Sequence, residues 1–314
     1  MQLPNLVNTF GHAMFEKYGC KVHKLTINAQ FTCPNRDGSK GIGGCTFCNN
    51  ESFNPNAIQT PSIADQLENG RTVVRKRTGA RKYIAYFQAY TNTYAHVAIL
   101  EKMYNQVLKE RDVIGLSIGT RPDCVPDATL ELLAKYKEQG HEVCLELGLQ
   151  TASDETLDTV NRGHTFSEYE DAVHRAQNLG LDICTHLIIG LPGEKPEDSL
   201  KTLKKVVDLG TNGLKLHPLH IVRNTKLAKE WEAGNYIPLK FTEYTNIASE
   251  IIRHTPGDVV FHRITGTAQM EVLLAPEWCN KKWMVLNDIA ANLHQFGAQG
   301  SAIGKPFKSN KVYT

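Results

Sequence analysis

Ile183-Cys184-Thr185-His186-Leu187-Ile188-Ile189 is an apolar run of strand length, closed by Gly190-Leu191-Pro192-Gly193-Glu194. Helical spacing follows over 197–209, Gly210 stops it, and another apolar run spans 213–219. Two strands joined through a helix pair in parallel, because a parallel connection has to cross over the sheet. The same unit repeats upstream. Short apolar runs at 23–27, 83–87, 113–118 and 143–147 alternate with helical spacing at 98–111, 129–139 and 168–179. Gly140 and Gly180 stop two of those helices just before the next strand. Six such strands over about residues 20–220 predict an α/β fold, a partial (β/α)6 barrel. Function in such a fold gathers at the carboxyl ends of the strands.

After about residue 225 the alternation ends. Residues 226–314 read as a mixed α/β extension of the 1–225 barrel, expected to cover it rather than fold independently. The spacing predicts a helix at 241–254, a strand at 259–262 and a helix at 282–296. A Gly-rich tail carries Lys305, Lys308 and Lys311.

The 314 residues are 41% hydrophobic and 22% charged, the balance of a folded globular chain rather than a disordered one. A formal net charge of +2 gives no strong overall field, so a polyanionic partner is neither demanded nor excluded. No apolar run approaches the ~20 residues of a membrane span. The amino-terminal stretch lacks a basic region followed by an apolar one, so a cytoplasmic location is expected. There, eight cysteines are read as metal or catalytic groups before disulfides.

The strongest chemical signal is Cys33-Pro34-Asn35-Arg36-Asp37-Gly38-Ser39-Lys40-Gly41-Ile42-Gly43-Gly44-Cys45-Thr46-Phe47-Cys48, just after the first strand. Glycines let the backbone turn with positive φ and come close to a bulky ligand. Backbone N–H groups exposed this way tune an iron–sulfur cluster by hydrogen bonding to its sulfurs. Three clustered thiols suit such a cluster with one iron left open. The spacing alone leaves two other readings open. One is a zinc site completed by His12, Cys20 or His23, and the other is a CxxC redox pair.

A three-cysteine loop after the first strand of a partial barrel resembles the radical S-adenosylmethionine (SAM) superfamily. The eleven-residue gap between Cys33 and Cys45 is longer than the usual CxxxCxxC spacing and is of the kind found in Elp3-like members. The resemblance implies one [4Fe-4S] cluster on Cys33, Cys45 and Cys48, with Phe47 packing near the adenine. Tyr86-Phe87-Gln88-Ala89-Tyr90-Thr91 stands where the family has its Gly-Gly-Glu-like segment, which makes Gln88 and Ala89 SAM contacts without the glycines. Glu146-x-Gly-x-Gln150 resembles the strand that touches the ribose. Arg162 has the spacing of the arginine that pairs with the methionyl carboxylate, a bidentate contact. Ile188 falls on the adenine-side strand, within 186–194. More narrowly the chain resembles the YhcC/YtqA subgroup, through Lys21-Val22-His23-Lys24, Phe31–Gly38, Gly119-Thr120-Arg121-Pro122-Asp123 and Leu274-Ala275-Pro276-Glu277-Trp278-Cys279, and is closer to YhcC.

The activity implied is reductive cleavage of SAM, with the 5′-deoxyadenosyl radical abstracting a hydrogen and flavodoxin or ferredoxin as the kind of reductant. His186 and His217 read equally as barrel histidines or substrate contacts, and Arg121 as a site residue or half of a salt-bridged turn. Cys124 and Cys279 are candidate substrate-side thiols. Substrate classes are a tRNA wobble uridine side chain, from the YtqA and Elp3-like relatives, or a small metabolite or protein. Arg71, Arg75, Lys76, Arg77, Arg81 and Lys82, with Lys281 and Lys282, form the cationic stretch a phosphate backbone would need. A zinc-stabilised RNA-binding module is the non-enzymatic alternative.

Overall fold

Seven parallel strands form one sheet in the computed structural model, in the order β1 (Val22–Ile27), β2 (Lys82–Phe87), β3 (Val113–Thr120), β4 (Glu142–Gln150), β5 (Asp182–Ile189), β6 (Gly213–Pro218) and β8 (Val260–Arg263). The structure describes residues 3–49 and 61–308; Lys311 lies outside them. Each crossover carries a helix: α2 (Ile63–Thr78), α3 (Val97–Leu108), α4 (Asp127–Glu138), α6 (Phe166–Asn178), α7 (Pro196–Asp208) and α9 (Phe241–Arg253). The β4–β5 crossover also holds the short α5 (Asp154–Thr159). All six expected strands form. The apolar faces of sheet and helices meet in one core, with Leu25, Phe87, Leu116, Leu145, Ile183 and Leu214 nearly or fully buried at its centre. At Gly115 a Cβ would lie 1.9 Å from the Glu142 carbonyl oxygen, so β3 and β4 approach only because this residue has no side chain.

The sheet gains a strand at its edge. The strand expected at 259–262 within the extension pairs with β6 as the seventh strand, with Gly213 opposite Val260 and Lys215 opposite Arg263. A register shift between those pairs marks a bulge at His262. Apolar content at 259–262 announced a strand but not its partner, because pairing is decided by residues some forty positions away.

The amino-terminal helix α1 (Phe10–Tyr18), which periodicity did not single out, packs on both edge strands, β1 and β8. Just before it, Asn8 accepts a hydrogen bond from the Phe261 amide at 2.7 Å. The open edge of β8 is thereby covered. A two-stranded ribbon of β7 (Ile221–Val222) and β9 (Leu273–Ala275) follows, with α8 (Lys226–Glu232) packed on β7. Helix α10 (Lys282–Phe296) packs on α9, which itself lies on α7 and β5, so both belong to the outer helical layer.

Candidate active site

The carboxyl ends of the strands surround a cavity of about 240 Å3. The loop after β1 lines it with Cys33, Cys45, Phe47 and Cys48; the end of β2 with Gln88; β4 with Glu146 and Gln150; β5 with Ile188; and the turn after α5 with Arg162. Of the SAM contacts implied by resemblance, only Ala89 is turned into packing, 2% exposed and outside that lining.

The cysteine loop is built by tight turns and tied to the turn at 160–162. The Arg36 amide donates to the Cys33 carbonyl at 2.8 Å and the Cys48 amide to the Cys45 carbonyl at 3.0 Å. Gly43 and Gly44 hold φ of 88° and 81°, where a β-carbon is strained. Asn35 Nδ2 donates to the Asn161 carbonyl at 2.5 Å, Asn161 Nδ2 to the Gly44 carbonyl at 2.8 Å, and the Thr46 amide to the Val160 carbonyl at 3.0 Å. These ties bring Arg162 Nη1 to 3.6 Å from Cys45 Sγ, although 117 residues separate the two in sequence. Asn35 Nδ2 also approaches that sulfur, at 3.7 Å.

This donor set fits a cluster better than a single ion. Tetrahedral zinc with Zn–S of about 2.3 Å would hold its sulfurs about 3.8 Å apart. Among the described residues the one trio of ligand atoms within 4.8 Å of one another is Cys144, Glu146 and His262, not the loop thiols. The proposed fourth zinc ligands are elsewhere. His12 is on α1, and Cys20 and His23 stand at the amino end of β1, a strand length of about 17 Å from the loop. Three thiols spread wider than one ion allows, with guanidinium and amide donors beside them, suit a multinuclear anionic cluster.

A Cβ at Gly148 would lie 2.8 Å from Arg162 Nη2 and 3.0 Å from Gln150 Nε2, so a side chain there would push the guanidinium aside. Arg162 donates from Nη2 to the Gly148 carbonyl at 2.6 Å, so its position is set by β4 as well as by the loop. Arg121 lines the cavity and is also half of a salt-bridged turn. It is 2% exposed, forks onto both Asp123 carboxylate oxygens at 2.9 Å, and donates to the carbonyls of Arg162 and Gly163 at 2.7 and 2.9 Å. Lys40 adds a second cation on Asp123 at 2.6 Å, and the two together hold that carboxyl down at about 2 against the effect of burial. Cys124 and Cys279 are buried outside the cavity lining, and burial pushes both thiols up to about 12, unlike an activated thiol.

Below the cavity lies an ion cluster that sequence reading missed. Glu146 is fully buried and takes Lys24 Nζ at 2.5 Å, His186 Nε2 at 2.8 Å, the Lys215 ammonium and the Ser117 hydroxyl. Burial alone would raise the Glu146 carboxyl; Lys215 and Lys24 reverse that and hold it well below the carboxylate range. Burial lowers Lys215 to about 8 and His186 to about 4. Lys24 Nζ also lies 2.9 Å from His262 Nδ1, so an ammonium stands in the middle of the Cys144–Glu146–His262 trio. The overlooked signal was a lysine inside each of two buried apolar strands, Val22–Ile27 and Gly213–Pro218. Such a charge demands a partner.

Among the described residues no helix is long and apolar enough to cross a membrane. The family profile of the Radical SAM superfamily matches residues 28–206, and that of the Radical_SAM C-terminal domain matches residues 211–295. Protein YhcC of Escherichia coli K12 is 51% identical over 98% of both chains. Uncharacterized protein YtqA of Bacillus subtilis is 36% identical over 96% of this chain and 92% of its own. A tRNA uridine(34) acetyltransferase of Dehalococcoides mccartyi is 30% identical over 52% of this chain and 35% of that one. The solved Elp3 of Methanocaldococcus infernus superposes with a TM-score of 0.63 at 17% identity, covering 88% of this chain and 64% of that one, a likeness of fold. The thiol loop, the parallel half-barrel and these matches agree, and the chain belongs to the radical SAM superfamily, in the YhcC/YtqA subgroup.

Proposed function

We propose that this radical SAM enzyme holds one [4Fe-4S] cluster on Cys33, Cys45 and Cys48 and abstracts hydrogen from a tRNA wobble uridine side chain. The carrying observation is the convergence of the three thiols and Arg162 on one cavity at the carboxyl ends of the strands. When bound and reduced, the cluster supplies the electron that splits SAM into methionine and the 5′-deoxyadenosyl radical that takes the hydrogen. The chain's own residues do the positioning. Arg162, fixed by Gly148, offers the guanidinium for the methionyl carboxylate beside Cys45. Gln88 and Gln150 offer amides, and Phe47 and Ile188 apolar surface, from the walls of the cavity. Enclosure by those walls limits the access of water to a reactive species.

The RNA reading is supported by the half-length similarity to a tRNA uridine(34) enzyme and by the exposed cations Arg75, Lys76, Arg77 and Arg81. Arg71 is withdrawn from that set, since Glu68, Glu110 and Asp112 neutralise it. Anaerobic reconstitution with iron and sulfide counting, and a dithionite assay for 5′-deoxyadenosine, test the class. Four irons per chain and SAM cleavage are expected, with both lost in Cys45→Ala. Salt-sensitive retention on bulk tRNA tests the substrate, and salt-insensitive or absent retention turns the reading to a small metabolite or protein substrate.

A further inference from the structure

The charges around the cavity do not balance. Glu146 is the one carboxylate among the described residues that line it, and its oxygens are taken by Lys24, Lys215, His186 and Ser117. Each arginine near the thiols has partners: Arg36 the Cys48 carbonyl at 2.5 Å, Arg121 the Asp123 carboxylate, and Arg162 the Gly148 carbonyl. The Arg263 side chain also lines the cavity, half-buried, and makes no hydrogen bond or ion pair among the described residues. SAM does not answer it, because its carboxylate is assigned to Arg162 and its sulfonium adds positive charge.

One neutral ring donor, His217, stands beside that guanidinium. His220 Nε2 is buried with no hydrogen-bond partner, and His217 makes a ring contact with His186 but no hydrogen bond among the described residues. Burial and the Arg263 charge keep both rings unprotonated at neutral pH; His220 gives its one N–H to the Gly266 backbone, and His217 carries the N–H left to give. The backbone is shaped for the arrangement. The bulge at His262 sends that ring down to Lys24 and Glu146 and leaves Arg263 on the cavity wall. Gly266 presses so closely on His217 that a Cβ would lie 2.6 Å from Nδ1. A half-buried guanidinium with no counter-charge among the described residues, beside an unsatisfied ring donor, is costly unless a ligand completes it.

We propose that Arg263 and His217 form a receptor for an oxyanion group of the substrate, a carboxylate or a phosphate, on the wall of this cavity. This deepens the reading of the cavity as the substrate site but does not depend on that substrate being RNA. The test needs neither turnover nor RNA. The reconstituted holoprotein with SAM is titrated calorimetrically at fixed ionic strength with glutarate, with inorganic phosphate and with uncharged glutaramide. Saturable binding of glutarate or phosphate, but not glutaramide, is expected, and whichever binds identifies the group. The affinity should fall at least tenfold in Arg263→Gln, recover in part in Arg263→Lys, and stay unchanged in Lys204→Gln, a change on the exposed face of α7. If Arg263→Gln does not fold, His217→Phe is read instead and should weaken the same anion. No anion binding to the parent, equal binding in the variants, or equal binding of glutaramide would overturn the proposal. Failure of tRNA retention would leave it standing.

Discussion

Arg162 is held at once by Cys45, whose sulfur lies 3.6 Å from Nη1, and by the end of β4 through the Gly148 carbonyl, 2.6 Å from Nη2. One guanidinium thus couples the thiol loop to the strand that resembles the ribose contact. Gly148→Ala adds a methyl 2.8 Å from Nη2 and displaces that arginine without touching a thiol. Iron content should stay at the parent value while the Kd for SAM rises roughly 10- to 100-fold, the worth of a lost charged hydrogen bond. Equilibrium dialysis of the iron-loaded variant reads this directly, and an unchanged Kd would separate Arg162 from SAM binding.

Glu146 is a buried counter-ion for two lysines. Glu146→Gln leaves Lys24 and Lys215 without compensation and should cost about 3–5 kcal/mol, the usual penalty for breaking a buried pair. Pairing it with Lys215→Met should cost less than the sum of the single changes, since the second removes one stranded charge. Urea unfolding of the four proteins gives the coupling, and strict additivity would contradict the network.

Asp123 predicts an acid-side dependence of stability. Its folded pKa, about 2, is below the ordinary carboxylate value, so the stabilisation is full above about 4 and drains as pH falls towards 2. Asp123→Asn should remove that part of the slope between pH 4 and 2. The comparison is made by thermal melts of parent and variant, and parallel pH profiles would count against the Arg121–Asp123–Lys40 clamp.

Lys215 acts in the opposite range. A folded pKa of about 8, below the unfolded value near 10.4, means the unfolded chain binds more proton between them. Stability from this group therefore rises with pH over that window. The difference in melting midpoint between parent and Lys215→Met should shift in the parent's favour from pH 8 to 10. A constant difference would place the ammonium in an unperturbed state.

The arginines on and just after α2 are of two kinds. Replacing Arg75, Arg77 and Arg81 with Gln should flatten the salt dependence of tRNA retention by about 0.7–0.9 in log–log slope for each phosphate no longer neutralised. Arg71→Gln should leave that slope unchanged and lower stability instead, because Glu68, Glu110 and Asp112 already engage it.

The sequence alone determined the strand–helix repeat, because burial on both sheet faces writes continuous apolar runs and glycine stops mark the helix ends. It also marked out the three-thiol loop, since three thiols and four glycines within sixteen residues are a local pattern. Only the tertiary structure decided what is far apart in the chain. It made Val260–Arg263 the seventh barrel strand, brought Arg162 against Cys45, and set Lys24 and Lys215 on Glu146. It turned Arg121 from an open candidate into a clamp and left Arg263 without a counter-ion among the described residues. The reason is that periodicity reports which face of an element is buried, whereas the partner of a charge depends on which strands the curled sheet sets side by side.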